Sequence, residues 1–271
     1  MSRVQAFDYE SAIWGAETIR PGEWTIAGYR LEEVLVHLPR RGRVLEIGCG
    51  AGRFLRALHL HRPELELVGA DVSRNALGIL SQTSPEIETR WVEDASLPAD
   101  DGEFDAVLAM DVLEHLDDPD HTLAEIRRVL ASGGIFHLHV PCEADPRSLW
   151  RWLPGQGGER GLKWRLGGHV QSFRRDEILR TLLSSGFEIV RVRNSLHVLG
   201  NLADVAVFIG LALANRRRPA GLRTTTGDVI ARKSPLFRAV DAFLYWEARL
   251  LGRLPSWSIH VTARRRGALT C

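Results

Sequence analysis

Short strand-like runs alternate with helix-period segments along most of the chain. "RVLEIGC" (43–49), "ELVGADV" (66–72), "IETRWVED" (87–94), "FDAVLAMDV" (104–112) and "GIFHLHVP" (134–141) are rich in apolar and β-branched residues. Near-continuous apolar runs suit strands buried on both faces. Between them, "GRFLRALHLHR" (52–62), "RNALGILSQTS" (74–84) and "HTLAEIRRVLA" (121–131) repeat apolar positions at helical spacing. "DEILRTLLSSGFEIVRVRN" (176–194) adds a helix, a glycine stop at Gly186 and a sixth strand. This alternation predicts a doubly wound α/β domain, with a mostly parallel sheet and helices on both faces.

Residues 195–256 break the rhythm. "LADVAVFIGLALAN" (202–215) reads as an apolar helix closed by Arg216, Arg217, Arg218 and Pro219. A polar loop leads to "SPLFRAVDAFLYWEARLLG" (234–252), with Ser234 as N-cap and Pro235 as first helical residue. "WSIHVTARRR" (257–266) then reads as a last, seventh strand. The expected organisation is a helical cap (1–40), a core (41–194), a helical insertion that shapes a pocket lid (195–256), and the last strand with a tail (257–271). A membrane span needs roughly 20 predominantly apolar residues. The stretch 195–214 contains His197, Asn201 and Asp204 and is read as non-spanning. Those three polar residues fall on one helix face, as a solvent-facing stripe or as a pocket wall.

Composition adds mainly exclusions. With 45% hydrophobic and 25% charged residues, the 271-residue chain has the make-up of an ordinary globular protein. Its net charge of +1 gives no global pull towards nucleic acid or anionic membrane. Cys49, Cys142 and Cys271 are too scattered for a disulfide framework or a zinc site, so a reducing cytoplasm and no metal are expected. Arg3, Asp8 and Glu10 precede any apolar run, which argues against a secretory signal.

The chemistry concentrates in "VLEIGCGAGRFL" (44–55), where Gly48, Gly50 and Gly52 follow Glu46 between a strand and a helix. Such a turn aims backbone N–H groups at a ligand beyond the carboxyl end of the sheet. A dinucleotide turn needs its third glycine at 53, which is Arg53, and a P-loop needs a Gly-Lys-Ser/Thr ending that is absent. Both phosphate readings fail.

The stretch closely resembles the E/D-x-G-x-G-x-G turn of class I S-adenosylmethionine-dependent methyltransferases. "FDAVLAMDVLEHLDDP", "LASGGIFHLHVP" and "HVQSF" resemble further stretches of that family, so the likeness runs over roughly residues 40–193. It implies a Rossmann-like sheet of seven strands and S-adenosylmethionine as cofactor. It also implies that Gly48, Cys49, Gly50 and Gly52 wrap the methionine part and that Glu46 supports its ammonium. Asp71 then takes the ribose hydroxyls, Asp94 and Ala95 the adenine amino group, and Val72 and Met110 belong to the same site.

The implied reaction is in-line transfer of methyl to an O, N or C nucleophile of a small acceptor. His115, after the fourth strand, and His169 are the candidate general bases. Aromatic residues in front (Tyr9, Trp14, Trp24) and behind (Phe208, Phe237, Phe243, Tyr245, Trp246) fit a lipophilic acceptor such as a quinone, lipid or polyketide. Cys142 follows the fifth strand, not the fourth as in cytosine methyltransferases, so no nucleic-acid partner is expected. The Arg216–Arg218 run beside an apolar helix leaves peripheral membrane contact open. A non-catalytic cofactor-binding module and a protein or peptide methyltransferase stay as alternatives. Oligomeric state is open.

Overall fold

The computed structural model describes residues 7–94, 96–154, 161–216 and 235–267. The strands are β1 (Gly42–Ile47), β2 (Leu65–Asp71), β3 (Glu88–Trp91), β4 (Phe104–Met110), β5 (Leu130–Pro141), β6 (Phe187–Ser195) and β7 (Ser258–Arg265). They form one sheet in the order β3-β2-β1-β4-β5-β7-β6. β1 to β5 pair in parallel, while β7 runs antiparallel between β5 and β6. The doubly wound, mostly parallel seven-stranded sheet is therefore present, with the last strand inserted against the grain.

The helices are α1 (Ile26–His37), α2 (Arg53–His61), α3 (Arg74–Thr83), α4 (Pro119–Val129), α5 (Leu162–Gly167), α6 (Arg175–Ser184), α7 (Val198–Asn215) and α8 (Pro235–Leu251). Two core layers hold them to the sheet. One packs Leu31, Val34, Phe54, Leu55, Leu58, Leu77 and Leu80 of α1 to α3 against β1, β2 and β4. The other packs Leu123 and Ile126 of α4 and Ile178 and Leu182 of α6 against β4, β5 and β7. Because alternate side chains of each strand enter opposite layers, strands such as β4 are apolar throughout. Local signals set the helix starts: the Ser73 hydroxyl accepts from Ala76 N–H ahead of α3, and the Asp118 carboxylate accepts from His121 N–H ahead of α4.

Several expectations change. The preamble is not a uniform helical cap: Ile26–His37 is helical, and residues 7–24 run as turns and irregular chain. β5 begins at Leu130, so Leu130 and Ala131, expected as the end of the preceding helix, belong to the strand. The short α5 and the 3-10 turns η1 (Leu113–His115) and η2 (Leu149–Trp152) carry no periodic signal of their own. Ser234, Arg217 and Arg218 lie outside the described residues, as does Ala95.

The polar stripe of α7 does not face solvent. His197 and Asn201 are buried; Asn201 accepts from Leu149 N–H and donates to the Arg147 carbonyl. Asp204 accepts from Trp150 Nε1 (2.6 Å) and pairs with Lys163 (2.9 Å). The polar side of α7 is its inner side, because unpaired polar atoms around η2 and α5 need partners. Its outer side is apolar, and by length and composition, with a mean hydropathy of 1.7 over 18 residues, α7 is long and apolar enough to cross a membrane. On those two measures alone the stretch 198–215 does not fall short of a span.

Candidate active site

The glycine turn leaves β1 with Gly48, Gly50 and Gly52 at φ of 62°, 54° and 79°, the left-handed region that favours glycine. At Gly50 a Cβ would also sit 2.5 Å from the Trp14 carbonyl oxygen. That carbonyl accepts from Ala51 N–H at 2.8 Å, so the preamble lies directly on the turn. The Glu10 carboxylate anchors it further along, accepting from Ser73 Oγ and from the N–H groups of Arg74 and Asn75 at the start of α3.

Glu46 is 2% exposed, and its Oε2 has no hydrogen-bond partner. Burial pushes its carboxyl up to about 8, against the opposing pull of Arg53. An orphaned buried carboxylate beside a glycine turn fits an incoming ammonium group. Asp71 ends β2 and receives Gly50 N–H on Oδ2 (2.7 Å) and Ser73 N–H on Oδ1 (2.8 Å). Burial raises its carboxyl while those amides hold it back. Each oxygen keeps a lone pair for a ligand hydroxyl. Both acids therefore suit the cofactor that the sequence implies.

The remaining cofactor candidates divide. Val72 is 52% exposed, and its carbonyl accepts from Trp91 Nε1. Asp94 is exposed and accepts from Ser96 N–H, as an acid at a loop edge would. Met110 is buried at the end of β4. Cys49 is buried with its thiol pushed well above the usual range by burial, so only its backbone is suited to contact a ligand.

β4 and β5 bring the second half of the site to the same sheet edge. His115, in η1, holds its Nδ1 at 3.1 Å from the Gly168 carbonyl and 3.2 Å from Tyr9 Oη. A carbonyl can only accept, so Nδ1 carries the proton and Nε2 keeps its lone pair. Burial, with His169 nearby, lowers His115 to about 4, so it is neutral at physiological pH. His169 stacks edge-on at 4.9 Å from it, with Nδ1 2.8 Å from Glu143 Oε1. Lys163 stands 3.5 Å from the same carboxylate. Burial alone would raise Glu143, but His169 and Lys163 outweigh it and hold the carboxyl below its usual range.

The structure thus brings both sequence candidates, His115 and His169, into one cluster. Glu114 joins them: burial and the nearby Asp111 charge raise it well above the usual carboxyl range. Glu114, His115 and His169 offer donor atoms within 4.8 Å of one another, a set of a kind that can hold a metal ion, where no metal was expected from the cysteine pattern. Tyr9 closes the circle, since its ring packs against His115 at 5.9 Å and against Trp14, above the glycine turn, at 6.3 Å.

Sequence reasoning missed Glu143, Lys163 and Glu10, and it valued Tyr9 only as an apolar residue. Lys163 had one signal, as one of only two lysines in the chain. Asp111, just past β4, was also missed. It sits at φ 58°, pairs with Arg30 (2.6 Å), and lies 2.7 Å from His139 Nδ1. Burial would raise its carboxyl, but Arg30 and His139 carry it well below the usual range.

Comparison with known proteins agrees with this geometry. A family model described as a methyltransferase domain matches residues 25–192. The ubiquinone biosynthesis O-methyltransferase of Dinoroseobacter shibae is 31% identical over 187 residues, covering 65% of this chain and 73% of that protein. An uncharacterized protein of Synechococcus sp. is 32% identical over 139 residues, and the chain spans only 33% of its length. Two solved structures share the fold. The SpnF cyclase aligns at TM-score 0.58 and 22% identity, over 93% of this chain and 84% of its own. Geranyl diphosphate C-methyltransferase from Streptomyces coelicolor, solved with S-adenosyl-L-homocysteine, aligns at TM-score 0.58 and 15% identity, over 89% and 79%. With its sheet order, its glycine turn and this domain match, the chain belongs to the class I S-adenosylmethionine-dependent methyltransferases and is an enzyme of that family.

Proposed function

We propose that the enzyme methylates an O, N or C nucleophile, oxygen first, of a small lipophilic acceptor. S-adenosylmethionine supplies a methyl group already activated by its sulfonium charge. Glu46 receives the ammonium, the glycine turn the rest of the methionine part, and Asp71 the ribose. Asp94 and Ala95 serve the adenine, with Val72 and Met110 in the same site. The chain's own task is to hold the nucleophile in line and keep water out, which can supply on the order of 7–11 kcal/mol.

The observation that carries the reading is the Glu143–His169 pair at the mouth. A carboxylate on Nδ1 orients the ring and leaves Nε2 to take a proton from an acceptor hydroxyl. Neutral His115, fixed through Gly168, accepts a second hydrogen bond from the acceptor. Phe7, Tyr9 and Trp14, packed at 5.0–6.3 Å, form an aromatic cover suited to an apolar body. The ubiquinone O-methyltransferase relatives point to the same acceptor chemistry. The insertion 195–256 frames the rear of the mouth through Lys163 and Asp204. We place the enzyme at the cytoplasmic side of its cell, in agreement with Cys49 and Cys142 being free thiols.

Incubation with radiolabelled cofactor and a lipid extract tests this. Label recovered in an extractable small molecule supports it. Label in protein, or tight cofactor binding without any turnover, overturns it in favour of a protein methyltransferase or a non-catalytic module respectively.

A further inference from the structure

The insertion that frames the mouth also carries most of the exposed large hydrophobic side chains found among the described residues. Among the described residues, ten of the nineteen exposed large hydrophobic side chains lie between 198 and 254. On α7 they are Val198, Leu199, Leu202, Ile209 and Leu213, which share one side of the helix. On α8 they are Val240, Phe243, Trp246 and Leu250, again along one side, with Phe243 66% and Leu250 76% exposed. The two helices meet where the Glu247 carboxylate, on α8, accepts from the N–H groups of His197, Leu199 and Gly200 at the start of α7. Trp24 extends the surface, edge-on to Trp246 at 5.7 Å.

Charge decides what covers this face. Within the described part of 195–256, every exposed charged side chain is an arginine: Arg216, Arg238, Arg249 and Arg253. The acids of the same stretch, Asp204, Asp241 and Glu247, are buried or half-buried. Arg216 and Arg165 flank a cleft between α5 and α7 with Leu162, Leu166 and Leu213 on its walls. Neither arginine forms an ion pair among the described residues. Arg249 pairs with Glu32 of α1 (2.7 Å), and the other three arginines keep the rim net positive, so the apolar face complements an anionic lipid surface. A second copy docked face to face would instead set arginine against arginine. Immersing α7 across the bilayer would strip Asn201 and Asp204 of the bonds that tie its inner side to η2 and α5.

We propose that the outer face of α7 and α8 docks in plane on anionic phospholipid, holding the acceptor mouth at the membrane surface. This rests on the lipophilic-acceptor reading and names where such an acceptor is collected. The test is co-sedimentation of the full chain with phosphatidylcholine vesicles, with and without phosphatidylglycerol. Binding should require phosphatidylglycerol and weaken with added salt. Leu202→Glu with Leu250→Glu, both on the solvent side, should weaken it by at least about tenfold. Cofactor affinity and turnover of a detergent-dispersed acceptor should not change in that variant. No vesicle binding, or equal binding by the variant, overturns the docking, as does a dimer by analytical ultracentrifugation that the variant dissolves while vesicles stay unbound. Vesicle binding with no turnover of any dispersed acceptor would instead sink the methyl-transfer proposal and leave the docking standing.

Discussion

Asp71 combines a ligand-facing role with an internal one, because its two oxygens already fix the glycine turn and the start of α3. Asp71→Ala should weaken S-adenosylmethionine binding by about 1–3 kcal/mol, measured by calorimetry on a folded variant. An unchanged affinity would overturn the ribose assignment. Glu46 has a different signature. With a carboxyl raised to about 8, it is protonated near neutral pH before the ligand arrives. An ammonium partner favours the charged form, so binding should release a proton. Calorimetry at about pH 7, in buffers of different ionisation enthalpy, should detect that release in the wild type and not in Glu46→Gln. At the mouth, His169→Ala should lower kcat by about 10²–10⁴ with little effect on cofactor affinity. Glu143→Gln should follow it in direction, and added imidazole should partly restore His169→Ala alone. The glycines and Asp71 were legible because their spacing is local, set by one strand, one turn and one helix. Glu143, Lys163 and Tyr9 were not, because chain segments far apart in sequence bring them to His169 and His115.

Elements were legible where the burial was symmetric. β1, β2 and β4 announce themselves because both faces enter core layers, and α2 and α3 because only one face does. α7 misled for the same physical reason: three polar residues among apolar ones look like a wet stripe. Here they are the inner side, and solvent meets leucines. The helix start depends on an unusual cap, since His197 offers no side-chain cap and Glu247 of α8 accepts three backbone N–H groups in its place. Glu247→Ala should therefore cost about 1–3 kcal/mol, read as a lower thermal midpoint, since it leaves three donors of the α7 N-terminus without their acceptor. Glu247→Gln should recover part of that loss by keeping an acceptor oxygen in place.

At the scale of the whole molecule, the β5–β7 pairing holds three histidines packed together with tilted rings. His139 and His260 lie 4.4 Å apart and His137 and His260 6.0 Å apart, all fully enclosed between β5 and β7. Burial lowers each of them, His137 to about 3. An unfolded chain returns them to about 6.5, so below that pH the unfolded state binds more protons and stability falls. The histidines' own share, read as the wild-type urea midpoint minus that of His137→Gln, should be flat above about pH 7 and should drop as the pH falls towards 4. His137→Gln should show a shallower drop. The general architecture could be read from alternation alone, but the place of β7 could not, because strand order is a long-range choice that leaves no local trace. That placement has a consequence for how the chain is made. β6 has no neighbour in the sheet except β7, and β5 has no other partner on that side. Until residues 258–265 leave the ribosome, a long apolar strand edge stays open to any passing chain, and the seam between two strands 63 residues apart (Ser195 opposite Ser258) must close last. A nascent chain stalled just before β7 should therefore aggregate or recruit a chaperone, although the whole glycine turn has already been synthesised.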